Sequence, residues 1–272
     1  MNAIDCHAHV FHRGLPMPDR RRAPSGYDAR PESYFRNLRA NNISHGVLVQ
    51  PSFLGVDNSY LMASLLQYPG RFRGVVVVDP EISREQLDKL QEAGVVGIRL
   101  NLIGLPPPAF GSTAWMALLD QLRQRDWQVE VHQAACELQP VLEPLLAAGV
   151  KVVVDHFGRP NEILGVDDPG FQYLLSLGAT RRVWVKLSAS YRNGSGGRGE
   201  TTAVAATPLL RTAFGLDRLV WGSDWPHTLF EESVSYTTQC LLLQQWFPNA
   251  ADRKVVLLET PARLFSFIDV ST

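Results

Sequence analysis

Eight short apolar runs rich in β-branched residues recur along the chain, each followed by a longer stretch with helical spacing. They are Ala3-Ile4, Gly46-Val47-Leu48-Val49, Gly74 to Val78, Val96-Gly97-Ile98-Arg99-Leu100, Gln128-Val129-Glu130-Val131, Lys151 to Val154, Val183-Trp184-Val185-Lys186-Leu187 and Leu219-Val220-Trp221-Gly222. Most are continuously apolar rather than alternating, as strands buried on both faces should be. Amphipathic segments such as Glu85 to Ala93, Ala114 to Arg125 and Leu138 to Leu146 lie between them. Several end at Ala93-Gly94, Ala148-Gly149 or Phe214-Gly215, where glycine suits a left-handed helix stop. Dividing 272 residues among eight units gives 34 each, the size expected of an α/β (β/α)8 TIM barrel spanning 1–272 as a single domain. A doubly wound open sheet also alternates strands and helices, but it carries a Gly-rich turn after its first strand, and Asp5-Cys6-His7-Ala8-His9 is no such turn. Phe11 to Pro31 and Asn193 to Glu200 read as loops, and neither has the Gly-Lys-Ser/Thr of a phosphate-binding loop.

Charge excludes some partners. Lys plus Arg number 26 against 27 Asp plus Glu, a net of -1, which offers no grip on nucleic acid or an anionic membrane. No apolar stretch approaches the ~18 residues of a membrane helix. The opening Met1-Asn2-Ala3-Ile4-Asp5-Cys6-His7 lacks the pattern of a secretory signal, and Cys6, Cys136 and Cys240 form no CxxC pair. The expectation is a soluble, cytoplasmic, globular protein.

The polar residues gather at the carboxyl ends of the runs. His7 and His9 follow the first, Gln50-Pro51-Ser52 the second and Asp79 the third. Arg99 and Asn101 belong to the fourth, His132 to the fifth, Asp155-His156 to the sixth, Lys186 and Ser188 to the seventh. The eighth ends in Ser223-Asp224-Trp225-Pro226-His227, so five of the seven histidines fall at strand ends, where barrels build active sites. Two histidines two apart on a strand share a face. His7, His9, His132 and Asp224 offer nitrogen and carboxylate ligands of the kind that suit a single divalent ion, zinc above others, with one position open to water.

These residues resemble the amidohydrolase superfamily of (β/α)8 barrels, in particular its amidohydrolase-2 branch of lactonases and some decarboxylases. The matching pieces are Ile4-Asp5-Cys6-His7-Ala8-His9, Asp155-His156-Phe157-Gly158-Arg159-Pro160, Val185-Lys186-Leu187-Ser188 and Trp221-Gly222-Ser223-Asp224-Trp225-Pro226-His227. Within the branch the chain is most similar to 2-pyrone-4,6-dicarboxylate hydrolases, lactonases of bacterial aromatic-acid degradation, and the resemblance implies an enzyme with a small carboxylated molecule as its partner, as a monomer or homodimer. The resemblance implies that His7 and His9 hold a metal or, in metal-free members, polarise the lactone carbonyl. It implies that His156 assists and that Asp224 is the general base. Arg99, Arg159 and Arg192 then bind substrate carboxylates, with Asn101 and Ser188 beside them.

Two positions depart from that pattern. Gly104-Leu105-Pro106 stands where the pyrone lactonases carry a further basic residue, and His132 stands where they tend to have tyrosine. The second departure points toward metal-binding members. Strand four offers no lysine for a carbamylated bridge, so one metal or none is expected. A metal-dependent decarboxylase or hydratase of an aromatic-derived acid is the alternative reaction, and a non-catalytic small-carboxylate-binding barrel the alternative class.

Other residues read as structural. Asp5 and Asp155 are expected to anchor loops through backbone N–H groups, His12 and His45 to be solvated loop residues, and His227 to serve a neighbouring loop as readily as catalysis. Lys186 is expected to pair with a carboxylate inside the barrel, and the cysteines to be small buried apolar residues. Ser188 and Ser223 lack a G-x-S-x-G elbow. Arg20-Arg21-Arg22 reads as a solvated loop, and Trp225-Pro226 as packing for the loop that fixes Asp224.

Overall fold

The computed structural model describes residues 2–18, 23–24 and 26–267, so the Arg20 to Arg22 run lies outside the described residues. Eight strands form one sheet in chain order: β1 (Ile4–Ala8), β2 (His45–Val49), β3 (Phe72–Val76), β4 (Val95–Asn101), β5 (Gln128–His132), β6 (Lys151–Val154), β7 (Val183–Ser188) and β8 (Leu219–Gly222). The pairings β1–β2, β2–β3, β4–β5, β5–β6 and β6–β7 are all parallel, and Ala8 bridges Trp225 just beyond β8, so the sheet returns on itself. This is the expected (β/α)8 barrel, with each strand found within two or three residues of its sequence position except β1, which extends well past Ile4. The major helices are α1 (Pro31–Ala40), α2 (Ser59–Gln67), α3 (Arg84–Glu92), α4 (Thr113–Gln124), α5 (Gln139–Ala147), α6 (Pro169–Ser176), α7 (Arg198–Phe214) and α8 (Tyr236–Trp246). Gly94, Gly149 and Gly215 take the positive φ that their helix-stop role requires. No described helix is long and apolar enough to cross a membrane.

The chain comprises two compact units, divided inside β4 and inside β8. The first holds 1–79, 85–96 and 221–272. Its core is built from Ile4, Val47, Val49, Phe72 and Val75 on strands and Leu38 and Leu65 on α1 and α2, all 2% exposed or less. Tyr34 of α1 stacks on Phe72 and on Trp225, with ring centroids 5.6 and 5.3 Å away. The expectation that Trp225 packs the loop carrying Asp224 is met by this stack.

The second unit holds 80–84 and 97–220. Its core is built from Val129, Val131, Val152, Val154, Val185 and Leu187 on strands and Leu142, Leu145, Phe171 and Leu210 on helices, all fully buried. Side chains along β5 alternate, so Gln128, Glu130 and His132 share one face while Val129 and Val131 share the other. Asp168 caps α6 by accepting from the Gly170 N–H at 2.7 Å, with Pro169 in the first turn. Arg198 and Glu200 correct the sequence reading: they lie in α7, not in a loop.

Candidate active site

In the first unit, Asp5 is fully buried and accepts four hydrogen bonds. Its Oδ1 takes the Ser223 N–H at 2.8 Å and the His7 N–H at 3.1 Å; its Oδ2 takes the Ser223 hydroxyl at 2.6 Å and the Tyr236 hydroxyl at 2.9 Å. Burial pushes the Asp5 carboxyl above its usual range, while hydrogen bonds from Ser223, His7 and Tyr236 pull it back. Asp5 is thus the expected anchor, and it fixes the turn after β8. Ser223 Oγ accepts the Trp225 N–H at 3.0 Å, which extends the chain of bonds.

Asp224 is held from both sides. Its N–H donates to the His7 carbonyl at 2.8 Å, and the His9 N–H donates to the Trp225 carbonyl at 2.8 Å. Its φ is +60°, a region aspartate tolerates better than most residues but still at a cost of about 1 kcal/mol or more. The turn aims its carboxylate at two imidazoles: Oδ1 lies 3.5 Å from His7 Nε2 and 3.6 Å from His9 Nε2. The two Nε2 atoms are 3.3 Å apart. His9 Nδ1 is 2.7 Å from the Val49 carbonyl, which only accepts, so Nδ1 carries the proton and Nε2 of the neutral ring presents a lone pair.

A nitrogen lone pair this close to a second ring nitrogen and a carboxylate oxygen demands a positive centre: a proton on His7 Nε2, or a cation. The donor set fits a cation. Ligand atoms about 2.0–2.1 Å from a tetrahedral zinc stand about 3.3 Å apart, and the observed separations are 3.3, 3.5 and 3.6 Å. The Val49 carbonyl behind His9 is the outer support that metal-bound histidines need. His7, His9 and Asp224 are therefore a possible metal site, and all three are buried.

The second unit gathers His132, His156, Arg99 and Ser188. His156 Nδ1 meets Ser188 Oγ at 2.8 Å, and the His132 and His156 rings stand edge to face, 4.7 Å between centroids. Arg99 Nη2 is 3.5 Å from His132 Nδ1 and 3.6 Å from Asp155 Oδ2. Burial holds the His132 pKa well below the usual histidine value, helped by His156 and the Arg99 and Arg159 guanidiniums and opposed by Asp155. His132, a sequence-expected ligand, is thus housed in this unit with a basic neighbour. Asn101 ends β4 in register with His132.

His156, Phe157, Gly158 and Arg159 all have φ between +53° and +78°, a run of left-handed residues that turns the chain sharply after β6. Arg159 donates to the Arg192 carbonyl, and the Arg192 guanidinium lies 5.4 Å from the centroid of the Tyr191 ring. These two sequence-expected carboxylate binders are brought together.

Asp155 corrects the sequence reading. Its carboxylate pairs with Lys186 at 3.0 Å as well as with Arg99. Lys186, fully buried, also meets Glu130 at 2.8 Å, as expected of a cation paired inside the barrel. Burial and Asp155 push the Glu130 carboxyl up, to about 7, while Lys186 and Arg99 pull it down. Glu130 was missed from sequence, although a carboxylate inside Gln128-Val129-Glu130-Val131-His132, two residues from a strand-end histidine, was a usable signal. Two minor readings also change: His45 begins β2 half-buried rather than lying in a loop, and Cys136 is exposed, although Cys6 is buried as expected.

An amidohydrolase family model matches residues 4–267, nearly the whole chain. The chain belongs to the amidohydrolase family. This bears out the resemblance and the expectation of a hydrolase. The curated 4-sulfomuconolactone hydrolase of Hydrogenophaga intermedia is 30% identical over 272 residues, covering 96% of this chain and 88% of its own. The solved structure of a candidate 2-pyrone-4,6-dicarboxylic acid hydrolase from Pseudomonas putida is 41% identical, covers 98% of both chains and superposes with a TM-score of 0.92. A second candidate of that activity, from Acinetobacter baumannii and solved with citric acid bound, is 36% identical with a TM-score of 0.94, covering 98% of this chain and 100% of its own.

Proposed function

We propose that the chain, acting as one cytosolic domain, opens a carboxylated lactone such as 2-pyrone-4,6-dicarboxylate by water attack on the ring ester carbonyl. The observation that carries this reading is the meeting of the Asp224 carboxylate with His7 Nε2 and His9 Nε2. Barrel enzymes assemble their sites from the carboxyl ends of several strands. Asp224 takes the proton of the attacking water as general base, a role worth about 10²–10⁴ in rate. His7 and His9 stabilise the oxyanion that grows on the carbonyl oxygen, and His156, oriented by Ser188, assists. A divalent ion, zinc for this donor set, would be held by His7, His9 and Asp224 and would supply Lewis acidity and a more acidic water. Arg99, Arg159 and Arg192 bind the carboxylates through their guanidinium forks, with Asn101 alongside. When the ring C–O bond breaks, the departing oxygen takes the proton from Asp224, and the ring-opened acid leaves.

The relatives support the class. One is named for a sulfonated lactone, two others for a dicarboxylated pyrone, and citric acid in one of those is itself a polycarboxylate. The test is to add the protein to 2-pyrone-4,6-dicarboxylate and follow the ring absorbance, with and without a chelator. Turnover that falls at least a hundredfold in Asp224→Asn is expected, on the magnitude of general-base catalysis. Intact substrate, or release of carbon dioxide in place of a net proton, would overturn the lactonase reading.

A further inference from the structure

His132 carries the sequence-based expectation of a metal ligand, and the proton inventory of its surroundings leads elsewhere. We infer that His132 is a neutral hydrogen-bond donor whose Nε2–H is kept for an oxygen of the anionic substrate, beside the Arg99 guanidinium, and is not a metal ligand. The identity of that oxygen's owner rests on the lactonase reading above; the proton's position does not.

The tautomer follows from Arg99. A guanidinium has five N–H donors and no lone pair, and its Nη2 lies 3.5 Å from His132 Nδ1. An N–H at Nδ1 would point one donor at another, so Nδ1 keeps its lone pair and the neutral ring carries its proton on Nε2. Double protonation is opposed by burial and by the Arg99 and Arg159 charges, which outweigh the pull of Asp155. With its proton on Nε2, the ring has no lone pair there to give a metal. The ring is 2% exposed and is held edge to face by His156, which is itself tied to Ser188. A half-turn of the ring would set the Cδ2–H, which cannot accept, against the guanidinium in place of the Nδ1 lone pair.

Nε2 is buried and has no hydrogen-bond partner among the described residues. A buried donor without a partner is costly in the resting protein, and the cost disappears when an acceptor arrives. A neutral N–H on a ring that stands beside a guanidinium suits a carboxylate or the oxygen of a polarised ester. The strand-five histidine thus assigns this end of β5 to substrate recognition.

The decisive measurement needs no substrate: long-range proton–nitrogen NMR on histidine-labelled protein. It should find His132 as the Nε2–H tautomer at neutral pH. An Nδ1–H ring, or a ring that loses its Nε2 proton when zinc is added, would overturn the inference. His132→Gln keeps an N–H near the Nε2 position, and His132→Leu removes it. For 2-pyrone-4,6-dicarboxylate, KM should rise roughly ten- to hundredfold in His132→Leu and no more than about threefold in His132→Gln, as loss and retention of a bond to a charged group predict. Zinc bound per chain should be the same in both variants as in the parent protein. Equal KM damage in the two variants would refute the donor role, and loss of zinc in both would refute the exclusion from the metal site. Should the protein leave the lactone untouched, the lactonase reading falls, while the tautomer and the zinc content still decide this inference.

Discussion

Gly222, the last residue of β8, is the position where one methyl group tests how the site is assembled. A Cβ there would lie 2.5 Å from His7 Cβ, 2.9 Å from the His7 nitrogen and 3.2 Å from its Cα. Carbon atoms pack at about 3.5–4.0 Å, so Gly222→Ala requires about 1 Å of movement between β8 and the backbone of His7. The obstacle is backbone, not a flexible side-chain tip, so the shift passes into the imidazole. Overpacking of this kind costs about 1–3 kcal/mol, or roughly 2–12 °C of Tm in a chain this long. Function should suffer more than folding. A misplacement of about 1 Å in reacting groups costs about a hundredfold, and His7 Nε2 now stands 3.5 Å from Asp224 Oδ1. The assay pairs kcat/KM on 2-pyrone-4,6-dicarboxylate with a thermal melt and zinc binding by calorimetry. A variant with parental kcat/KM, Tm and zinc affinity would show that close approach of β8 to His7 does not set the geometry of the His7–Asp224 pair.

Lys186→Met leaves Glu130 and Asp155 without the cation between them; unfolding in urea should show a loss of about 3–5 kcal/mol, part of it recovered when Glu130→Gln is added. Ser188→Ala removes the hydroxyl that meets His156 Nδ1; kcat/KM should fall roughly three- to tenfold with little change in stability, the worth of one neutral hydrogen bond. His45 has its pKa lowered to about 4, by burial first and then by Arg71 and Arg73. Its contribution to stability is therefore full above the unfolded histidine pKa of about 6.5 and is lost as pH falls through about 4. Discounted for its half-exposed position, the loss is about 1–2 kcal/mol, and His45→Gln should flatten that part of the pH–stability curve measured by urea unfolding.

The strands were legible because a barrel strand is apolar on both faces and its period cannot hide: Lys151 to Val154 and Leu219 to Gly222 coincide with the observed limits. The histidines and Asp224 were legible because polar residues at the ends of such runs have no structural reason to be there. Asn193 to Glu200 misled, since its glycines read as flexibility. At Gly199 the reason is contact: a Cβ would run into the Ser190 carbonyl, so glycine lets α7 begin hard against the preceding turn. Asp155 misled for another reason. Its neighbours in sequence suggest a loop anchor, whereas its partners Lys186 and Arg99 come from other strands and are set by register, which a single sequence does not display.

The two units present opposite chemistry. The first offers acceptors: His9 Nε2 with its proton fixed on the other nitrogen, and a carboxylate turned toward both imidazoles. The second offers donors, with Arg99, the inferred Nε2–H of His132, Arg159 and Arg192, while its own carboxylates Glu130 and Asp155 are already engaged by Lys186. Acceptors suit a water molecule that must lose a proton, or a cation; donors suit an anion that must be held while its carbonyl gains charge. A buried guanidinium facing an uncharged ligand is a penalty rather than a grip, so the donors of the second unit favour an anionic ligand. Arg99→Met should therefore raise KM for a carboxylated lactone far more than for its methyl ester. Equal effects on the two would place recognition of the anion elsewhere.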